Sequence, residues 1–497
     1  MARSPFARCF LVLATVALLS SQESLETEEI AVNAQAPSRP FPHSWEQMFG
    51  SGRAILSLRE SYRRDLRTVK SATDIHYVRF HAIFDDEVGV YTEDAQGQPI
   101  YNWSYVDQIY DGLLENGVRP FVEMSFMPRA LAASSTPHAF WYRPLPSPPK
   151  DYAKWEALVY NFAHHLVDRY GVNEVAQWYF EVWNEPNIDF WTGEPKQASY
   201  FELYDHAARA IKRADARLRV GGPATAQAAW VPDMIAHAVQ SQVPLDFVST
   251  HVYGNDLSQD VFGTDEVIDR SEMVGRAVKK VNNQVKASPR PDLPIIWSEY
   301  NASYKNEIDV TDSAFMGPWL ANDIRLCDGL TAMMSYWTFS DVFEEQGVIK
   351  TPFYGGYGLI AEGGVPKPAF NAFAMLHRLG ERRLQPELAN ALVTQLPDGA
   401  LAIAIWNYAP PGVAGRPRKV HLTVDGFEGT AHYHVEILDP NRGSALAAWR
   451  AIGSPVSPTR EQYEQLRRAS LATYKVDGTS SFMLPASGLA LVEVRPH

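Results

Sequence analysis

The sequence predicts an α/β protein: a (β/α)8 barrel of the TIM type with a C-terminal antiparallel β-sandwich domain. Three observations carry that prediction. Eight short β-rich runs alternate with helical patterns from about Phe49 onward. The runs recur regularly, Ile55 to Ser335 covering seven steps of about 40 residues, one strand–helix unit each. After about His377 the alternation stops, and closely spaced strands with Gly, Pro and Asp turns take over.

The eight runs are Ala54-Ile55-Leu56, Tyr77 to Phe80, Pro120 to Glu123, Trp178 to Trp183, Leu218 to Gly221, Phe247 to Thr250, Ile295 to Ser298 and Met333 to Tyr336. Between them, apolar residues recur at helical spacing. One helix carries Tyr105, Ile109, Leu113 and Leu114. A second carries Trp155, Leu158, Val159, Phe162, Leu166 and Val167, with Asp151 placed to cap it. A third carries Tyr200, Leu203, Tyr204, Ala207 and Ile211. A doubly wound open sheet is the rival. It needs a Gly-rich phosphate turn, which Gly50-Ser51-Gly52 does not complete, so that segment reads as a tight loop. The later strands are Leu392 to Thr394, Leu401 to Trp406, Val420 to Val424, His434 to Ile437 and Leu489 to Val494, with a short helix over Tyr463 to Leu471.

At the start, Arg3 and Arg8 precede an apolar run from Cys9 to Leu19, too short to span a bilayer and suited to a signal peptide. Residues 22–44 are acidic, then Pro-rich, and read as a tether. The expected organisation is a signal peptide at 1–21, the tether at 22–44, the barrel at 45–378 and the sandwich at 379–497. The expected location is secreted or periplasmic, with no membrane span in the mature form.

Composition narrows the partners. The chain has 497 residues, 46% hydrophobic and 21% charged, which is too apolar for disorder. With 45 basic and 58 acidic residues the formal charge is -13, which repels a nucleic-acid backbone and an anionic membrane surface. Only 2 Cys are present, excluding a disulfide scaffold and a four-thiolate zinc site. No His-Glu-x-x-His occurs, and His164-His165 are adjacent on a helix, so no metal and no cofactor is expected. No Gly-x-Ser-x-Gly elbow supports a serine hydrolase.

Barrel chemistry sits at the C-terminal ends of the strands. Two carboxylates fall there. Glu185 follows the fourth strand in Trp183-Asn184-Glu185-Pro186. Glu299 ends the seventh in Trp297-Ser298-Glu299-Tyr300-Asn301. Alternation puts Trp297 and Glu299 on one face. Two glutamates on opposite walls can meet across the mouth, one to protonate a leaving glycosidic oxygen and one to attack the anomeric carbon. Glu181 and Glu123 lie deeper and are assigned to buried hydrogen bonding or support. Asn102-Trp103-Ser104 and Asn301-Ala302-Ser303 match glycosylation sequons but are read as coincidental.

Those two segments resemble the acid/base and nucleophile motifs of the retaining (β/α)8 glycoside hydrolases. More narrowly, the chain is similar to glycoside hydrolase family 39, the β-xylosidase and α-L-iduronidase family. The likeness extends through Tyr77-Val78-Arg79-Phe80-His81, Asn102-Trp103-Ser104-Tyr105, Phe121-Val122-Glu123-Met124, Ser249-Thr250-His251-Val252-Tyr253, Phe339-Ser340-Asp341 and Phe353-Tyr354-Gly355-Gly356. It runs from roughly Trp45 to Leu379 and is weaker beyond.

The resemblance implies that Glu185 is the acid/base, Glu299 the nucleophile, and Asn184 a partner of the sugar 2-hydroxyl. It implies that His81, His251, Tyr253, Tyr304, Trp337, Glu344 and Glu345 line the subsite for the non-reducing sugar. The expected activity is a retaining exo-β-xylosidase acting on short xylo-oligosaccharides, with a carboxyl separation of ~5–5.5 Å. The alternatives are an α-L-iduronidase, for which Lys305 is a candidate carboxylate partner, a β-glucosidase, β-galactosidase or arabinoside-releasing enzyme, and a non-catalytic sugar-binding protein.

Overall fold

The structure, a computed structural model, describes residues 27–427, 430–471 and 473–496. The signal-peptide reading at 1–21 lies outside the described residues. Eight parallel strands close into a barrel: β1 (Met48–Gly50), β2 (Tyr77–Phe80), β3 (Arg119–Met124), β4 (Tyr179–Val182), β5 (Arg219–Thr225), β6 (Phe247–Tyr253), β7 (Ile295–Asn301) and β8 (Met333–Tyr336). Each strand pairs with its neighbours in sequence, and β8 pairs with β1. Helices follow each strand, among them Ser104–Glu115, Tyr152–Tyr170 and Lys196–Ala214, where periodicity placed them. Asp151 caps the second of these, accepting from the backbone N–H of Ala153 and Lys154.

The first strand corrects the sequence reading. Ala54–Leu58 is a 3-10 helix, and the strand is the three-residue Met48–Gly50 just before it. Gly50 is therefore the end of β1 rather than part of a loop. A Cβ there would lie 2.0 Å from the Trp337 ring, so only glycine lets β1 pass under that indole.

The barrel interior is layered. Met48, Phe121, Phe247, Ile296 and Met333 fill its N-terminal end as one apolar cluster. Two residues along each strand, the same face turns polar: Arg79, Glu123, Glu181 and Ser249 are all buried. The functional side chains stand above that layer.

The C-terminal strands form a seven-stranded sheet packed on a three-stranded one. Leu401–Asn407 is buried along its whole length because the sheet has two dry faces. Leu401, Ile403 and Ile405 face Ile30, Val32, Val420 and Leu422 across the sandwich. Ala402, Ala404 and Trp406 join the core shared with the barrel.

Two expectations change here. Residues 27–40 are not a tether: Thr27–Asn33 pairs with Arg418–Asp425, and Ser38–Pro40 pairs with Arg382–Leu384. The alternating Ile30 and Val32 supply the buried face that drives this. The sandwich is also not purely antiparallel, since the first of those pairings is parallel. The helix Arg460–Leu471 falls where the sequence placed it. Among the described residues no helix is long and apolar enough to cross a membrane.

Candidate active site

Glu185 and Glu299 reach one cavity of about 370 Å³ at the C-terminal end of the barrel. A carboxylate oxygen of each, with a His251 ring nitrogen, lie within 4.8 Å of one another. That bound is in keeping with the closer class of carboxyl pair, ~5–5.5 Å apart.

Glu299 arrives there by a break in alternation. Ile296 lies in the barrel-interior cluster, so Trp297 faces outward, in the core shared with the helices. Strict alternation would send Glu299 outward too. The register of β7 slips at Ser298: Thr250 pairs with Trp297, but His251 pairs with Glu299. This bulge turns Glu299 into the mouth and corrects the expectation that it shares a face with Trp297. Ser298 also points in, its hydroxyl 3.1 Å from His251 Nε2. Glu185 follows β4, with φ 43° at Glu185 and 72° at Trp183. Two non-glycine residues in left-handed conformation at one strand end is local strain of the kind that collects at working sites.

Arg79 of β2 organises the floor. Its Nη1 donates to Glu299 Oε1 at 2.6 Å, its Nη2 to Asn184 Oδ1 at 2.9 Å and its Nε to Glu181 Oε2 at 2.6 Å. Nη2 also lies 3.3 Å from Glu123 Oε2. Tyr253 OH donates to the other Glu299 oxygen at 2.8 Å, so both oxygens of that carboxylate are fixed in direction. Because Arg79 occupies Asn184 Oδ1, the amide group of Asn184 must face away from it. Asn184 Nδ2 is buried without a partner, a donor free for a ligand oxygen. Glu123 bonds His81 Nδ1 and the Ser125 hydroxyl, and Glu181 bonds Arg79, so both deep glutamates do support the layer above.

The carboxyl groups have different electrostatic surroundings. Burial lifts the Glu185 carboxyl well above its usual range, and the charges of Glu299 and Asp256 lift it further. His251 Nδ1 lies 2.9 Å from Glu185 Oε1. Burial, then the positive charges of Arg79 and His81, hold His251 well below its usual value, so it is a neutral partner for Glu185. Burial opposes protonation of His81, but the Glu123 carboxylate outweighs it and the net shift is upward. Burial raises Glu345 to about 8 and Asp256 to about 7, so near neutrality Glu345 is largely an uncharged acid.

His81, Asn184, Tyr253, Tyr304, Trp337 and Glu345 line the cavity with the two central glutamates. Trp337 packs against His81 with ring centroids 4.8 Å apart. Tyr304 stands at the rim, 44% exposed. His251 is a correction: it is fully buried, does not line the cavity, and sits behind Glu185 between that carboxyl and Ser298. Glu344 is a correction: it does not line the cavity but binds Arg59 at 2.5 Å and Arg53 at 3.3 Å, latching the β8 loop to the loop after β1. Lys305 is exposed beside the Tyr304 ring and is not part of the lining.

Sequence reasoning missed Arg79, Asp256, Tyr357 and the apolar rim of Phe140, Ile188 and Phe190. Arg79 had a legible signal, a charge inside an apolar strand two residues before His81 and hence on its face. The rim residues sit on long loops and carried none. Of the sequons, Asn301 is fully buried and donates to the Trp337 carbonyl, whereas Asn102 is exposed. His164 and His165 bind different partners, Asp168 and Asp107. The donor spacing of Glu185, His251 and Glu299 would admit a metal ion, but Arg79 already places a cation on Glu299.

Comparison with known proteins places the chain as a whole. A family model described as Glycosyl hydrolases family 39 matches residues 28–483. A β-xylosidase of Geobacillus stearothermophilus is 36% identical over 439 residues, covering 86% of both chains. The crystal structure of a β-xylosidase from Caulobacter crescentus CB15 superposes with a TM-score of 0.83 at 35% identity, covering 94% of this chain and 99% of that one. The α-L-iduronidase of Homo sapiens is 23% identical over 485 residues, covering 86% of this chain and 69% of its own.

Proposed function

The chain belongs to family 39 of the glycosyl hydrolases, and from that premise we propose that it is a retaining exo-β-xylosidase. It would release xylose from the non-reducing ends of short xylo-oligosaccharides. The observation that carries the reading is the Glu185–Glu299 pair facing one small cavity, one carboxyl raised and the other oriented by Arg79 and Tyr253.

Glu299 attacks the anomeric carbon and forms a glycosyl ester, while Glu185 gives its proton to the departing oxygen. Ester formation removes the Glu299 charge. That withdraws one of the causes raising Glu185, which can then take a proton from a water whose oxygen bonds the anomeric carbon as the ester bond to Glu299 breaks, freeing the sugar and the Glu299 carboxylate. Asn184 Nδ2 is the free donor for the 2-hydroxyl, a contact that strengthens as the oxocarbenium ion develops. Glu345 and His81 offer polar partners to other hydroxyls, and Trp337 an apolar surface.

A neutral pentose suits the lining better than a uronic acid. Among the described residues the cavity is lined by Glu185, Asp256, Glu299 and Glu345, with no Lys or Arg. A sugar carboxylate would find no cation in that lining to pair with, and Lys305 stands outside. The 36% and 35% identity to two β-xylosidases, against 23% to the human iduronidase, points the same way. A sugar-binding protein without activity would not need a raised acid beside an oriented carboxylate.

A panel of nitrophenyl glycosides tests the specificity. Release from the β-xyloside should exceed that from arabinosides, glucoside and galactoside. Turnover of a uronide alone would overturn the assignment. Export to the periplasm or medium is proposed from the Arg3 to Leu19 pattern, and the N-terminal sequence of secreted protein would test it.

A further inference from the structure

Three donor side chains meet at the end of the barrel opposite the active site. His43 and Glu46 precede β1, and His377 follows the helix Pro368–Leu376. One donor atom of each lies within 4.8 Å of the other two. His43 Nδ1 is 2.6 Å from Glu46 Oε1, and His377 Nδ1 is 2.9 Å from Oε2 and 3.0 Å from Oε1. Both imidazoles thus present the same nitrogen to one carboxylate. A tetrahedral ion holding N and O ligands at about 2.0–2.1 Å sets neighbouring donors roughly 3.3 Å apart. The two imidazole–carboxylate spacings need open by well under an ångström to receive it, and the two imidazole nitrogens lie within 4.8 Å of each other.

The surroundings favour a cation. Glu46 is fully buried, and among the described residues its ion-pair partners are the His43 and His377 imidazoles, whose ring nitrogens can bind a metal in place of a proton, and no Lys or Arg. This is the contrast with Glu299, whose charge Arg79 already meets. His43 is held in place by Trp45, ring centroids 4.3 Å apart, and its Nε2 is buried without a partner, so Nδ1 is its one polar engagement. The Asp74 backbone N–H fixes Glu46 Oε2 at 3.2 Å. Entry is open on the other side. The His377 side chain is 43% exposed, and the group borders a cleft of about 960 Å³ between the barrel base and the sandwich.

We propose that His43, Glu46 and His377 form a binding site for one divalent transition-metal ion of the zinc class, with water completing the shell. Two imidazoles and a carboxylate suit such an ion and do not suit calcium or magnesium, which take oxygen shells. The site lies at the end of the barrel away from Glu185 and Glu299, so its role is structural. The ion would join the entry to β1 to the connection leading into the sandwich, residues 331 positions apart in the chain.

The test uses the full-length protein stripped with a chelator, near neutral pH. Zn2+ binding is followed by calorimetry and thermal unfolding, and Co2+ binding by visible absorption. The expected result is one ion per chain, a higher unfolding midpoint and the intense d–d bands of a tetrahedral cobalt site. His377→Ala should weaken binding at least about tenfold and remove the midpoint rise. Its metal-free xyloside hydrolysis should equal that of the metal-free parent. Failure of the parent protein to bind stoichiometrically, or equal binding by His377→Ala, overturns the proposal. If that variant does not fold, the cobalt spectrum of the parent decides alone: absent or octahedral bands overturn it.

Discussion

Arg79 Nη1 stands 2.6 Å from Glu299 Oε1 while its Nη2 stands 2.9 Å from Asn184 Oδ1. One planar group on β2 therefore sets the direction of the proposed nucleophile on β7 and of the proposed sugar-binding amide after β4.

Arg79→Lys keeps the charge but cannot hold several partners in one plane. Its kcat on nitrophenyl xyloside should fall by about a hundredfold, the scale of losing one preorganised donor. Circular dichroism should show the fold retained. An unchanged kcat would mean Glu299 does not depend on this contact.

Glu185→Ala removes the proton donor but not the nucleophile. Substrates with activated phenol leaving groups should keep far more activity than alkyl xylosides or xylobiose. A leaving-group series read as kcat/KM checks this. Equal losses across the series would remove Glu185 from the acid role.

The raised Glu185 carboxyl has a sign that can be followed. Its acid function is present below its folded pKa and lost as pH rises through it. Glu299→Gln removes one raising charge and leaves burial in place. Carboxyl 13C NMR should then show Glu185 titrating lower than in the parent, though still above the ordinary ~4.3 of a glutamate. A pKa that is unchanged or higher would contradict the coupling of the two groups.

Lys367 is fully buried between Asp312 at 2.7 Å and Asp341 at 2.6 Å, with the Gly356 carbonyl at 2.9 Å. It anchors the β8 loop that carries Glu345 and Tyr357 into the cavity. Lys367→Met leaves two buried carboxylates without their cation, which costs about 3–5 kcal/mol. Urea unfolding should show the loss, and KM for xyloside should rise with the slackened loop. A loss under about 1 kcal/mol would show that the two aspartates are neutral without it.

Much of this was legible in the sequence. β2 to β8 lie where alternating apolar runs placed them, because strands buried on both faces read as continuous apolar segments. The first strand was not legible: three residues ending in glycine give no run, while the apolar Ala54–Leu58 beside it gives a false one. The strand Thr27–Asn33 was hidden because Thr27 and Glu29 face water and leave only Ile30 and Val32 as its apolar side. In the site, Glu185 and Glu299 were readable from their strand-end motifs. The inward turn of Glu299 was not, since it depends on a one-residue slip against β6 that no local pattern encodes. Glu344 and Glu345 are adjacent and look alike in sequence. Only the positions of Arg53 and Arg59 make one a latch and leave the other in the cavity.

The most direct measurement is mass spectrometry of the enzyme after reaction with a 2-deoxy-2-fluoro-xyloside bearing a good leaving group, which slows hydrolysis of the glycosyl ester. One added fluoroxylosyl unit is expected on the peptide containing Trp297 to Asn301, attached at Glu299. Label on Glu185, or no label from an enzyme that still turns over xyloside, would contradict it.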